Sequence, residues 1–432
     1  MSLYNRIGIL ALSLLLGGNL LISTDTNAQG LGNSPYSSLG MGEFYGDGYS
    51  DNTGMGQSGV STGSGVQINN LNPALWSRNK FTTLDFGLIG QYKDITSGVK
   101  KQQNAGGNLA YVSLAFPVSP RWTLGVSLKP YSFVDFENTS VRSIPGTADY
   151  AIYYNSGKGG LNKASFTNAY QLGKYLSLGL ESSYFFGNIR KASEVLIPLQ
   201  DVSTNYLVGI SERTVFSDFA FRGGAALRIP IKKDNKLNLN LGGAYTFKTN
   251  LNGNQTTVYE LSQDSFVLPG ASDTLTNDRP GYMTVPSQYQ VGVSLEWPFK
   301  LILSADYNHQ SWSEYKGFNK AGDGLKDVSR VNLGVEYLPR FLSLKYFENV
   351  RYRVGFSHGN TPYAVNNKDI KDTNFSFGFT FPMGQRYQNL ISIALVGGQR
   401  GTTSPGVVRE RYGKAVLGIT LMERWFQKQK ID

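Results

Sequence analysis

Strict alternation of apolar with polar or small side chains is the feature that most constrains the fold of this chain. From Trp122 to Lys129, every second residue is apolar and the residues between are small or polar. The same pattern recurs in four later segments, at residues 235–248, 286–297, 327–338 and 373–381. A period of two is that of a β-strand with one face in an apolar environment. The sequence therefore predicts an all-β protein.

The length and spacing of these segments favour a transmembrane barrel. Many run for about ten residues and end in Tyr, Trp or Phe, as strands with aromatic girdles do. We predict about 14 strands between residues 81 and 422. Short turns such as Gly173-Lys174 alternate with long loops such as 138–160 and 249–285, which is typical of barrels with periplasmic turns and outer loops. A soluble secreted β-protein remains the alternative, because its strands also alternate.

Composition agrees with a barrel and argues against several other classes. The chain has 26 Tyr, 24 Phe and 50 Gly but few long aliphatic runs, which suits strands between lipid and water. It has no cysteine, so disulfides, a lipid-anchor cysteine and cysteine-based metal sites are excluded. The formal net charge is +10, but the basic residues are scattered rather than gathered on one face. We therefore predict outer-membrane lipids, and no nucleic acid, as partners.

The first 79 residues read as two segments that precede the barrel. Residues 1–28 contain Arg6, an apolar stretch and a small-residue cleavage site at Thr26-Asn27-Ala28, as in a signal peptide. Residues 29–79 are rich in Gly, Ser and Asn and form either a disordered tail or a plug. A barrel of about 14 strands encloses more room than side chains fill, which favours the plug. The predicted organisation is a signal peptide (1–28), a plug or hatch (29–79) and a barrel (80–432) in the outer membrane.

Motifs for catalysis or cofactor binding are weak. The segment Gly54–Gly59 matches GxGxxG, but no strand precedes it and no helix follows, as a nucleotide site requires. The two histidines, His309 and His358, share the parity of lipid-facing residues. An outward histidine beside a hydroxyl such as Ser311 could serve a barrel phospholipase, whereas a polar residue in the headgroup girdle is the plainer interpretation. We predict no enzyme activity, no cofactor and no metal site.

One short motif carries a family resemblance. Asn72-Pro73-Ala74 closes the glycine-rich segment a few residues before the first barrel strand. In this position it resembles the FadL/TodX family of outer-membrane transporters for hydrophobic compounds, which have an N-terminal hatch and a 14-stranded barrel. Three further segments resemble the Bacteroidota branch of such barrels, namely residues 33–37, 40–42 and 424–426. The chain departs from the family where an Ala-rich helical stretch is usual, because 59–65 is rich in glycine.

Proline in a barrel strand is the other feature with a functional interpretation. Pro130 interrupts the third strand, and because proline removes a ladder hydrogen bond it predicts a bulge or a local parting of strands. The family resemblance implies that Pro130 and Tyr131 mark a lateral opening; a bulge without a transport role is the alternative.

The expected function follows from the same resemblance. It implies passive uptake of a hydrophobic or amphipathic small molecule, with release through the wall. A structural or partner barrel of a secretion assembly and a general diffusion porin remain as alternatives.

Overall fold

The structure is a computed structural model. It describes residues 31–423 except for gaps at 147–148, 197, 199–205, 233–235, 264–265, 320–323, 366–367, 384–388 and 405–406. The predicted signal peptide and the 424–426 motif lie outside the described residues. None of the described helices is long and apolar enough to cross a membrane.

One antiparallel sheet contains the strands of this part of the chain. They are β1 (Glu43–Phe44), β2 (Thr82–Ser97), β3 (Lys100–Ser119), β4 (Trp122–Ser143), β5 (Tyr150–Leu172), β6 (Leu176–Leu196), β7 (Tyr206–Pro230), β8 (Asn238–Thr246), β9 (Thr249–Gln263), β10 (Phe266–Val285), β11 (Gln288–Trp297), β12 (Leu301–Gln310), β13 (Val328–Tyr337), β14 (Arg351–Val365), β15 (Lys368–Met383), β16 (Asn389–Arg400) and β17 (Arg409–Glu423). Short helices are Pro35–Ser38, Ser50–Gly54, Pro73–Arg78, Trp312–Glu314 and Tyr346–Asn349.

The sheet closes on itself into a barrel. β17 pairs with β2 from Arg409 opposite Thr96 to Glu423 opposite Thr82. β8 and β9 pair in succession with β7, so they form one long strand broken at 247–248. β10 and β11 likewise form one strand, broken at 286–287. With β1 set aside, the wall therefore has 14 strands, and the predicted fold class is confirmed.

The two faces of the wall differ in chemistry, as β13 illustrates. Val331, Leu333 and Val335 are exposed on the outer face, while Asn332 and Glu336 are buried on the inner face. Apolar residues outside and polar residues inside, in a closed barrel without free edges, are what a lipid bilayer requires. The chain is an outer-membrane β-barrel.

The predicted long outer loops are largely wrong, because the strands continue through them. β4 extends to Ser143 and β5 begins at Tyr150, so most of the predicted loop 138–160 is paired strand. The predicted loop 249–285 is the β9–β10 hairpin. Beyond the membrane both faces of a strand meet water, so the apolar period disappears while the backbone ladder persists.

Candidate functional site

An N-terminal segment, residues 31–80, lies against the inner face of the wall. Where it touches the strands, the wall residue is often glycine, and an added Cβ would come within 3.0 Å of the segment. These inward-facing glycines are Gly125, Gly179, Gly224, Gly242, Gly292, Gly334, Gly355, Gly378 and Gly418. Because even a methyl group would collide there, the backbone of the segment and the wall fit closely around most of the barrel.

Three acidic side chains of the segment form ion pairs with the wall. Glu43 pairs with Lys93 and Arg400. Asp47 lies 3.8 Å from Arg222.

The third acid, Asp51, lies 2.9 Å from Arg353 of β14. Arg353 is buried and also pairs with Glu336 at 2.7 Å. Removing one partner from a buried ion pair leaves an uncompensated charge, which is strongly destabilising. The four ion pairs of these three acids therefore attach the segment to opposite parts of the wall.

The environment of Asp47 keeps its carboxylate ionised. Burial alone would raise its pKa, but the positive charges of Arg222, Lys163 and Lys129 together lower it. The sequence reasoning missed these acids. Two features of the sequence distinguish them. Glu43, Asp47 and Asp51 recur at every fourth position, and the chain from Glu43 to Ser77 contains no other charged residue.

The Asn72-Pro73-Ala74 motif fixes the end of the segment. The Asn72 side chain accepts a hydrogen bond from the Ala74 amide at 3.0 Å and so caps the helix Pro73–Arg78. It also donates to the carbonyl oxygens of Val60 at 3.0 Å and of Ala225 on β7 at 2.9 Å. An asparagine here thus joins two parts of the segment to the wall.

The β3–β4 seam is the irregular part of the wall. β3 and β4 pair only from Ser119 opposite Trp122 to Val112 opposite Leu128. Beyond Val112, β3 continues to pair with β2. Beyond Leu128, β4 continues to pair with β5. Towards the outer end, the two strands therefore have no ladder with each other.

The N-terminal segment occupies this seam. Its strand β1 pairs with β4, with Glu43 opposite Phe133 and Phe44 opposite Ser132. The Ser34 amide donates to the Asp135 carbonyl at 2.9 Å.

On the opposite side, the segment contacts β3. The Asn104 side chain donates to the Asn33 carbonyl at 3.2 Å, and the Asn108 side chain donates to the Tyr45 hydroxyl at 2.9 Å. Residues 33–45 thus bridge β3 and β4: they satisfy backbone groups of β4 that the missing ladder leaves open, and they contact side chains of β3.

Pro130 and Tyr131 lie at the point where the seam begins. The β4–β5 register shifts between Pro130 and Ser132, so Tyr131 is an extra, bulged residue. The Tyr131 carbonyl accepts from the Tyr45 amide at 3.2 Å. Its ring contacts Phe44, with centroids 5.3 Å apart. Pro130 and Tyr131 therefore lie beside the first half of the N-terminal segment. The Asn72-Pro73-Ala74 motif is at the other end of the segment and lies against β6 and β7.

An apolar cluster fills the outer part of the barrel interior, and we call it the outer lumen cluster. It combines wall residues, the N-terminal segment and the connection between β12 and β13, which folds inwards. Its buried aromatic members are Tyr36, Phe136, Phe185, Phe216, Trp312, Tyr315, Phe318 and Tyr363, and Met41 packs with them. Phe44 and Tyr131 pack against it, so the cluster reaches the β3–β4 seam.

A cavity of about 270 Å³ adjoins this cluster. Phe44, Tyr131 and Trp312 contribute apolar surface to it. Polar and charged side chains also line it, among them Glu43, Gln290, Asp306, Arg330, Asn332, Arg400 and Lys414.

The histidines and the GxGxxG segment have structural surroundings. His309 Nδ1 lies 3.1 Å from the Ser329 hydroxyl, so its hydroxyl neighbour is Ser329 and not the expected Ser311. His358 Nδ1 lies 2.7 Å from the hydroxyl of Thr373. Within the GxGxxG segment, Gly56 packs closely on the backbone of Phe356.

Solved structures with the same fold include a monoaromatic hydrocarbon channel and two toluene transporters. A CymD monoaromatic hydrocarbon channel is 16% identical, with a TM-score of 0.56 over 89% of this chain and 100% of that chain. The toluene transporter TbuX of Ralstonia pickettii is 18% identical, with a TM-score of 0.55 over 88% and 99%. The toluene transporter TodX of Pseudomonas putida is 16% identical, with a TM-score of 0.56 over 88% and 100%. The resemblance to the FadL/TodX family is thereby confirmed for the fold.

Sequence comparison assigns the family. No curated protein matches this chain. A model of the BamG family matches residues 12–432, almost the whole sequence. The chain belongs to the BamG family.

Proposed function

We propose that this barrel mediates passive uptake of a hydrophobic or amphipathic small molecule and releases it sideways through the β3–β4 seam. The observation that carries the proposal is the seam itself. In a bilayer, backbone groups without partners cost several kcal/mol each, so strands of a barrel wall normally pair fully. Here the outer part of β4 meets residues 33–45 instead of β3. A seam held by a separate segment opens when that segment moves, without breaking a wall ladder.

The apolar surroundings of the seam suit a hydrophobic ligand. Phe44 and Tyr131 stand at the seam and also pack against the outer lumen cluster. A ligand that displaced part of this cluster would reach the seam without crossing water. The structural neighbours named as toluene and monoaromatic hydrocarbon channels support the same ligand class. In this proposal, residues 29–79 are the plug and residues 33–45 are its gate.

A second candidate is a structural or partner barrel of a secretion assembly. Two observations favour it. The outer lumen cluster is a packed core, and four ion pairs attach the N-terminal segment to the wall. A barrel filled in this way can serve as a rigid scaffold. A general diffusion porin is less well supported, because a porin needs an open polar lumen.

A reversible crosslink between β1 and β4 tests the uptake proposal. The chain lacks cysteine, so Phe44→Cys with Ser132→Cys introduces a single disulfide between directly opposed residues. We expect oxidation to reduce cellular uptake of radiolabelled toluene to the level of cells without the barrel, and a reductant to restore it. The control pair, Leu303→Cys with Val335→Cys, joins β12 to β13 and should leave uptake unchanged.

The possible results separate the candidates. Equal uptake in the oxidised and reduced forms would show that molecules do not leave through the seam. If the reduced barrel, the unsubstituted barrel and cells without the barrel all took up toluene equally, the scaffold candidate would replace the uptake proposal.

A further inference from the structure

The turn between β13 and β14, residues 338–350, differs from its neighbours at the same end of the barrel. The turns at 173–175 and 298–300 have three residues each. The β13–β14 turn is longer and carries several exposed apolar side chains. They are Phe341, Leu342, Leu344, Tyr346 and Phe347. Leu344 and Phe347 are 104% and 70% exposed.

This turn is held in one conformation by contacts within it. The Asn349 side chain accepts from the Ser343 amide at 2.9 Å and donates to the Ser343 carbonyl at 2.7 Å. The Arg340 amide donates to the Glu348 carbonyl at 3.0 Å. The exposed apolar side chains therefore project from an ordered framework.

The turn is also attached to the barrel on both sides. The Leu338 amide donates to the Lys300 carbonyl of the β11–β12 turn at 2.8 Å. The ring of Phe341 stacks on Phe299 of that turn, with centroids 4.5 Å apart. In the other direction, the Tyr346 hydroxyl donates to the Pro382 carbonyl of β15 at 3.2 Å. The result is an apolar shelf that extends from β12 to β15.

We propose that this shelf, formed by residues 338–350 with Phe299, inserts into the surface of the inner phospholipid leaflet of the outer membrane. Short turns of bacterial barrels face the periplasm, so the shelf lies at the level of that leaflet. Its apolar surface continues the lipid-facing surface of β13, where Tyr337 is also exposed. The Tyr352 hydroxyl donates to the Phe347 carbonyl and joins the shelf to the outer face of β14.

Charge favours a lipid surface over a protein partner. Arg340 and Lys345 are 75% and 84% exposed and lie 3.9 and 4.0 Å from Glu348, distances at which an exposed pair contributes little. Lys300 is exposed beside Phe299. Basic residues flanking exposed aromatic and leucine side chains match the anionic phosphates and acyl boundary of a leaflet.

Site-specific labelling tests the proposal. Leu344→Cys, labelled with an environment-sensitive fluorophore, should fold normally because the parent side chain is fully exposed. The matched control is Lys174→Cys, an exposed position in the 173–175 turn. In vesicles of phosphatidylethanolamine with phosphatidylglycerol, we expect a blue-shifted emission at 344 that nitroxide-labelled acyl chains quench. The label at 174 should emit as in water and respond to aqueous iodide instead.

A charge variant gives a second readout. Arg340→Glu with Lys345→Glu should reduce nitroxide quenching at 344 in vesicles with phosphatidylglycerol but not in vesicles of phosphatidylcholine alone, because only the former carry net negative charge. Different migration of heated and unheated samples on a gel verifies that each variant is folded. If the label at 344 is as accessible to iodide as the label at 174, the shelf does not enter the leaflet. It would then be a surface for a periplasmic protein.

Discussion

The β12–β13 seam and the β3–β4 seam are both parts of one closed wall, but they are closed differently. β12 pairs with β13 along its whole length, from Leu301 opposite Tyr337 to Gln310 opposite Val328, without a shift of register. The β3–β4 ladder stops at Val112 opposite Leu128, although both strands continue. The outer part of the second seam is bridged by the N-terminal segment.

The sequences of the strands show why the seams differ. β12 and β13 contain no proline, and every residue of one strand is paired with a residue of the other. In β4, Pro130 and the bulged Tyr131 come two and three residues after Leu128, the last residue that pairs with β3. A proline and an extra residue change the direction and twist of a strand, so β4 turns away from β3. Wall closure is thus shared between strand pairing and the N-terminal segment.

Deleting residues 30–79 should have the largest effect on this comparison. It removes β1 and the other contacts through which the N-terminal segment bridges the outer parts of β3 and β4, whereas the β12–β13 ladder is untouched. We expect single-channel conductance in planar bilayers to rise, because the segment fills the interior beside the inward-facing glycines. Pro73→Ala alone should raise it less, since one turn is a small part of the segment.

A deletion elsewhere serves as control for this experiment. Removing the outer end of the β9–β10 hairpin, residues 258–274, should leave conductance unchanged because it removes neither the β3–β4 seam nor the contacts of the N-terminal segment described above. If deletion of 30–79 also leaves conductance unchanged, the segment does not block the pore.

The sequence predicted those parts of the strands whose outer face meets lipid. In this barrel, apolar side chains recur at every second position where the outer face of a strand meets the bilayer, and there the number of strands and the identity of the outer face follow from the period. In the outermost parts of β4, β5, β9 and β10, most side chains on both faces are exposed or half-buried, so no periodic signal marks them. This is why the sequence analysis took them for loops.

The candidate site was predictable only in part. Pro130 could be singled out because a proline within a barrel strand obeys a general rule. The partner that fills the seam could not be found in this way, since a two-residue strand such as Glu43–Phe44 has no measurable period. The ion pair of Asp51 with Arg353 joins residues about 300 positions apart, which only the closed barrel brings together. The regular spacing of Glu43, Asp47 and Asp51 marks these acids as unusual, but it does not indicate which basic residues of the wall they contact.

Removing the charge of Glu43 should loosen the β3–β4 seam without touching its backbone. Glu43→Gln leaves the buried Lys93 without the carboxylate that it contacts, at a cost of about 3 kcal/mol. We expect brief open events in single-channel recordings and a lower temperature at which heated samples change their migration on a gel.

The matched control is the exposed pair of Glu137 and Lys158, whose charged atoms are 4.0 Å apart. Glu137→Gln should change stability by less than about 1 kcal/mol, because exposed ion pairs are screened by water. Identical recordings for the two variants would mean that the buried pair does not hold the segment in the seam.

Replacing Pro130 should have the smallest effect, because residues 33–45 and the course of β3 also shape the seam. Pro130→Val restores a backbone N–H and permits a more regular β4. One additional hydrogen bond contributes about 1 kcal/mol, which corresponds to about a fivefold shift towards a closed seam. Uptake of radiolabelled toluene by cells should therefore fall by about that factor, while the barrel still folds.

Pro382→Val on β15, outside the seam, should have no such effect. If a folded Pro130→Val barrel takes up as much toluene as the unsubstituted barrel, Pro130 only forms a bulge and has no role in transport. The transported molecule would then have to leave through the N-terminal segment.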